Sequence, residues 1–230
     1  MTLTDFANYV VMHRDCPVEE KDMYRALCVG GFRRPDLLSE EAGKNIAVYN
    51  DRINELTGLY WIWKNTKEKY VGMSHYRRFF TDGGKRLDAG KAKDILCRQG
   101  YDIILAPITL GWSIRHNIEM CVDLSFAAAA GKVFLEEIRN RQPDYADAFV
   151  EVMKGNSMYY CNMLMARRDV LDAYCKWLFS FITYAADRIS IEGADVYQRR
   201  TAGYYGETMM SVWMKRQDLK VYEMPLEVIR

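Results

Sequence analysis

Three scarcities bound this chain before any motif is read. It has three histidines, His13, His75 and His116, and none falls in a His-x-x-x-His or glutamate-flanked pattern, so a structural zinc site is not expected. Its six cysteines, Cys16, Cys28, Cys97, Cys121, Cys161 and Cys175, form no Cys-x-x-Cys pair and no regular ladder. That scatter suits reduced thiols packed as small apolar residues and a cytosolic setting better than a disulfide framework. Charge of one sign is also missing: 32 Lys and Arg face 31 Asp and Glu, a formal net charge of +1. A general nucleic-acid binder would carry a basic excess, so no nucleic-acid partner is expected. No run of roughly 18 apolar residues occurs, which gives no membrane span, and the opening Met1-Thr2-Leu3-Thr4-Asp5-Phe6 lacks the basic and apolar stretches of a secretory signal. No Gly-x-Gly-x-x-Gly, Walker loop or Gly-x-Ser-x-Gly is present, which sets aside dinucleotide oxidoreductases, P-loop enzymes and α/β-hydrolases.

What is there is apolar and aromatic. Half of the 230 residues are hydrophobic, and 16 Tyr, 9 Phe and 5 Trp give a load of rings that fill cores and also line sugar and nucleobase pockets. Hydrophobic spacing predicts strands over 8–12, 70–74, 102–106 (stopped by Pro107), 157–166 and 220–224. It predicts helices over 49–66, 88–99, 113–140 (interrupted near Gly131), 143–153, 169–188 and 207–216. Residues 16–48 and 193–206 read as loops, the first with room for one helical turn. Strands alternating with helices predict an α/β fold, a mainly parallel central sheet flanked by helices, in one domain over 1–230.

Five places carry candidate chemistry. The strand over 70–74 ends in His75-Tyr76-Arg77-Arg78, and ligands of open α/β sheets sit beyond the carboxyl ends of the strands. Two guanidinium forks there suit phosphate or diphosphate oxygens, and the flanking Trp61, Trp63, Phe79 and Phe80 are too apolar for an ordinary solvated turn. His13, after the first strand, stands where nucleotide contacts are usual. Glu55, early in the helix before the arginines, either favours the positive helix end or accepts sugar hydroxyls. Asn162, inside a strand where Asn is depleted, belongs to a structural network or to a pocket wall. Gly203-Tyr204-Tyr205-Gly206-Glu207 reads as a glycine-hinged loop that delivers a carboxylate. Glu192, Asp195 and Glu207 compete as general base, and Glu207 is favoured.

Taken together, Glu55 to Asn65, Tyr70 to Phe80, Asn162-Met163, Tyr174 to Phe179 and Arg200 to Tyr204 resemble the bacterial family catalogued as domain of unknown function 4422, over nearly the whole chain. Its members look like glycosyltransferases of capsule, exopolysaccharide and lipopolysaccharide synthesis, with a GT-A-like nucleotide-diphospho-sugar transferase fold. Gly206-Glu207-Thr208 departs from the family's Ala-Glu-Arg by lacking the basic neighbour. The resemblance implies a hexosyltransferase, inverting, taking a UDP-sugar, UDP-galactofuranose among the donors considered. His75, Arg77 and Arg78 would bind the diphosphate. His13, Glu55, Tyr76, Asn162, Met163, Gly203 and Tyr204 would meet the nucleotide or sugar, and Glu207 would be catalytic. The acceptor would be a glycan or lipid-linked oligosaccharide, with peripheral contact at the inner face of the cell membrane. Many GT-A enzymes hold a metal with Asp-x-Asp where this chain has His75-Tyr76-Arg77. Arginines can neutralise a diphosphate, so no cofactor and no divalent metal are expected. The alternative is a non-catalytic nucleotide-sugar or glycan-binding protein.

Overall fold

The computed structural model describes residues 5–17 and 22–229; residues 1–4, part of the segment read for a signal pattern, lie outside it. Among the described residues ten strands join in one sheet: β1 Phe6–Met12, β2 Tyr24–Cys28, β3 Leu38–Ser39, β4 Tyr70–His75, β5 Arg78–Asp82, β6 Lys85–Arg86, β7 Ile103–Thr109, β8 Ser157–Arg167, β9 Val221–Glu223 and β10 Leu226–Val228. The main path runs β3-β2-β1-β4-β8-β7-β9. β8 lies antiparallel to both β4 and β7, and the other four ladders of the path are parallel. β5 turns back on β4 as a hairpin arm and carries β6 and β10, all antiparallel.

Alternation along the strands splits the core in two. All seven residues of β1 are buried. Ala7, Tyr9 and Val11 join one cluster and Phe6, Val10 and Met12 the other, because successive strand side chains point to opposite faces. The larger cluster is covered by helices Leu56–Asn65, Leu124–Arg141, Arg168–Leu178 and Met209–Met214. The smaller lies under the helical segment 89–98 and the β5–β10 arm, through Phe79, Phe80, Ile95 and Leu96.

Several expected elements are corrected by local chemistry. The helix over 49–66 is broken: Asn54 takes φ 54° and ψ −135°, so a short helix Asn50–Ile53 precedes Leu56–Asn65. The loop-rich stretch 16–48 holds β2, whose Arg25 and Ala26 are weak strand formers held by pairing with the wholly buried β1. β7 passes through Pro107, because an irregularity in its ladder with β8 falls there and relieves the ring of donating a hydrogen bond. The 113–140 helix breaks at Asp123, whose carboxylate accepts from the Ser125 N–H, and Gly131 stays inside the following helix. The 169–188 helix breaks where the Ser180 hydroxyl donates to the Trp177 carbonyl, 2.6 Å away.

The largest correction concerns 193–206. Instead of a polar, glycine-hinged loop, the chain forms helices Val196–Arg199 and Thr201–Gly206. Asp195 opens the first with a capping box completed by Gln198, which commits that carboxylate to backbone N–H groups. Gly203 and Gly206 are buried; a Cβ on the first would collide with the Asn54 side chain, and one on the second would come within 2.6 Å of Leu56. They serve close helix packing.

Candidate active site

Three parallel strands, β2, β1 and β4, present their carboxyl ends side by side, with Val11 of β1 in register with His75 of β4. Beyond those ends lies a cavity of about 520 Å³, within the range of small-molecule sites. Its first wall is local. Gly30, just past β2 at φ +67°, leaves no room for a side chain, since a Cβ would lie 2.7 Å from the Asn50 amide oxygen. Its N–H donates to Glu40, 2.6 Å away. Across from it stands the β4–β5 turn. Tyr76 is buried, its ring met edge-on by His13 at 5.3 Å and faced by the guanidiniums of Arg77 and Arg14 at 5.1 and 5.4 Å. Arg78 is half-buried over the Tyr160 ring. Neither Arg77 nor Arg78 has a carboxylate partner among the described residues, whereas Arg199 at the rim is paired with Asp51. Burial, with Arg14, Arg200 and Arg77 nearby, holds His13 below the usual imidazole value.

The second wall comes from β8 and the C-terminal helices. Between Leu105 and Pro107 the β7 strand advances two residues while β8 runs from Leu164 to Tyr159. The surplus forms a bulge in which Cys161 and Asn162 both take positive φ, 62° and 54°. A pair of non-glycine residues there costs on the order of 1–2 kcal/mol each, and such strain concentrates at working sites. The bulge turns Tyr160 and Cys161 into the crevice, and the Cys161 carbonyl accepts from His75 Nε2–H at 2.7 Å. That bond fixes the neutral tautomer, and burial holds His75 below its ordinary value. Asn162 donates from Nδ2 to Glu55 at 2.8 Å, while its own buried oxygen has no hydrogen-bond partner.

Glu207 faces Glu55 across this wall. Burial first, then the Glu55 charge, push the Glu207 carboxyl up to about 8, against the opposing pull of Arg78 and Arg200. Arg200 is steered by Asn54, whose amide oxygen accepts from Nε at 2.6 Å. At neutral pH Glu207 therefore holds a proton while sitting among cations, a group able to exchange protons near pH 8.

Of the residues singled out from sequence, His13, Glu55, His75, Tyr76, Arg77, Arg78 and Glu207 line the one cavity. Asn162 stands behind Glu55. Met163 points into the smaller core and does not reach the crevice, because the next residue along a strand faces the opposite way. Gly203 is packed against Asn54. Tyr204 lines a neighbouring cavity of about 160 Å³ that shares Tyr160 and Glu207 with the first. Glu192 and Asp195, the other carboxylates weighed as base, are exposed and outside the cavity lining. Sequence reading missed Asn50, Asn54, Tyr160, Cys161 and Arg200. Asn54 had a legible signal, since Asn is the side chain that most readily takes positive φ; the others are brought in by tertiary packing. Among the described residues no three His, Cys, Asp or Glu side chains converge as metal ligands, and the carboxylates in the crevice lining are Glu55, Glu207 and the rim-paired Asp51.

A family model described as domain of unknown function (DUF4422) matches residues 8–218. No curated protein matches the sequence. Among solved structures, the apo form of WbbM, a bifunctional glycosyltransferase, aligns with a TM-score of 0.81 over 97% of this chain at 22% identity. This chain spans 45% of the length of that one. The two share a fold, an α/β arrangement of central sheet and flanking helices.

Proposed function

This chain belongs to the DUF4422 family, and from that premise and its crevice we propose that it transfers a sugar from a nucleotide diphosphate donor to a glycan. The observation that carries the reading is one cavity holding two guanidiniums without carboxylate partners opposite a carboxyl raised to about 8. Unpaired guanidiniums at strand ends suit a diphosphate. A carboxyl that exchanges its proton near working pH suits a general base.

In this mechanism Arg77 and Arg78 hold the diphosphate, and His13 with the Gly30 turn borders the nucleoside. Glu55, fixed by Asn162, accepts hydroxyls of the transferred sugar. An acceptor hydroxyl oxygen bonds to the anomeric carbon as the bond from that carbon to the diphosphate oxygen breaks. The electron pair leaves on the diphosphate, where the arginines stabilise it, and the hydroxyl proton passes to ionised Glu207. A single displacement of this kind inverts the anomeric centre. Uridine is the proposed base of the donor, UDP-galactofuranose among the candidates. The arginines take the place of a divalent ion, and the acceptor is a glycan or lipid-linked oligosaccharide of surface-polysaccharide synthesis, met at the inner membrane face.

The proton on Glu207 favours a second reading, a nucleotide-sugar-binding protein without turnover. A screen of UDP-sugars by thermal shift, followed by product analysis with octyl glycoside acceptors at pH 7 and pH 9, separates the two. A sugar transferase shows a raised melting temperature with one donor and release of UDP that is faster at pH 9. Binding without UDP release at either pH establishes the second reading, and no shift with any donor removes both.

A further inference from the structure

The smaller cavity has a character unlike the crevice it adjoins. Ile118, Cys121, Met158, Tyr160 and Tyr204 form its walls, and Glu207 is the one carboxylate among its lining residues. None of the arginines of the crevice lines it. An anionic diphosphate has nothing to meet there. Two tyrosines and apolar walls instead suit the mixed surface of a sugar ring, whose C–H face packs on aromatics and whose hydroxyls seek amides and phenols.

Asn117 adds a directed polar group. The Trp112 indole N–H, which can only donate, lies 3.3 Å from the Asn117 amide oxygen. That contact occupies the oxygen and leaves the amide N–H groups of Asn117 for whatever enters the cavity it lines. Trp112 is 44% exposed and Met120 58% exposed, at opposite ends of the helix Ile114–Cys121 that forms one side.

We propose that this cavity receives the terminal sugar of the glycan acceptor, placing its attacking hydroxyl beside Glu207. The proposal rests on the sugar-transfer reading above. It assigns the two cavities to two substrates, with Glu207 and Tyr160 as their shared wall. The proton released as the acceptor oxygen bonds to the anomeric carbon then has a short path to the Glu207 carboxylate.

Cys121, exposed and in the cavity wall, makes the test independent of turnover. The full chain is treated with iodoacetamide and alkylation of Cys121 is followed by peptide mass spectrometry. The probes are UDP and octyl glycosides of glucose, galactose, mannose and rhamnose. At least one glycoside should slow alkylation by about tenfold at saturation, by mass action on the occupied state, and UDP alone should leave it unchanged. Protection by UDP alone, or by no glycoside, overturns the assignment. As a second arm, Cys121→Phe fills the cavity from an exposed position. The KM for the protecting glycoside should rise by about tenfold or more, with the Kd for UDP showing that the fold is intact. An unchanged KM also overturns it. Glycoside protection is read without donor, so a protein that binds glycosides but no UDP-sugar defeats the sugar-transfer reading and leaves the cavity a glycan site.

Discussion

The two walls of the crevice are built on opposite plans. The wall from β1 and the β4–β5 turn is made of neighbouring residues: Arg77 and Arg78 are exposed or half-buried, rest against tyrosine rings, and have no carboxylate ion-pair partner among the described residues. The wall from β8 and the C-terminal helices is made of constrained ones: two positive-φ residues in a strand, a carboxyl raised to about 8, and an arginine steered by an amide. The comparison teaches a division of labour. Open cations can meet an incoming charge with little prior cost, whereas the proton affinity of Glu207 is set before any ligand arrives, by burial and by the Glu55 charge beside it.

The sharpest way to break that comparison is Glu207→Gln. If the enclosed wall performs the chemistry, transfer should fall by about 10²–10⁴-fold with donor affinity near wild type, read by single-turnover kinetics. The same variant tests the enclosure itself. The folded carboxyl keeps its proton up to about 8, whereas the unfolded one releases it near 4.5. In that window the folded state binds more protons, so wild-type stability declines as pH rises from about 4.5 through 8. Glutamine has no such dependence, and at pH 8 the variant should be more stable by on the order of 1–3 kcal/mol, a part of what the full shift would give. A lower melting temperature for the variant at pH 8 would falsify the enclosed-carboxyl account. Wild-type transfer should in turn rise with pH through about 8.

The open wall is tested by Arg77→Ala and Arg78→Ala. Each should weaken UDP binding by roughly 1.5–3 kcal/mol, the scale of hydrogen bonds to charged groups, with melting temperature little changed. Unaltered calorimetric affinity in both would take the diphosphate elsewhere. Gly203→Ala probes the constrained wall from behind. Its methyl displaces the Asn54 amide that steers Arg200, and overpacking of this kind costs about 1–3 kcal/mol by chemical denaturation. The smallest effect is expected from chelation. If the arginines replace a metal at the diphosphate, EDTA should leave UDP affinity and transfer unchanged, and loss restored by manganese or magnesium would assign the charge to an ion.

The same contrast explains what the sequence made legible. The cationic wall follows from a strand that stops in a run of functional residues, a local pattern, and His75, Tyr76, Arg77 and Arg78 fall where strand-end reasoning puts them. The sequence favours Glu207 through a glycine-hinged loop, whereas the structure has a helix with buried glycines there and places the carboxyl in the lining of the crevice. Glycine marks flexibility and close packing with the same letter. The bulge of β8 has one faint signal, an Asn in a strand, but Tyr160-Cys161-Asn162 alternates no worse than its flanks, and the positive φ values coincide with the register shift against β7. Asn54 lies within an apolar periodicity that fits one continuous helix; its residue type permits the break at positive φ, and its side chain meets Gly203 and Arg200 there.

The hydrogen bonds that join the walls also have a consequence for how this molecule comes to exist. His75 to Cys161, Glu55 to Asn162 and Asn54 to Arg200 bridge 86, 107 and 146 positions of chain. Each closes a long loop whose entropy is lost before the contact returns anything. The arginine turn can form as soon as β1, β4 and β5 pair. Asn162 and Glu207 are carried by later elements, β8, which lies between β4 and β7, and the C-terminal helices. On the sugar-transfer reading, the residues proposed for the diphosphate close local contacts and the residue proposed as base closes distant ones, so a chain cut after residue 150 would retain the arginine turn and lack Asn162 and Glu207.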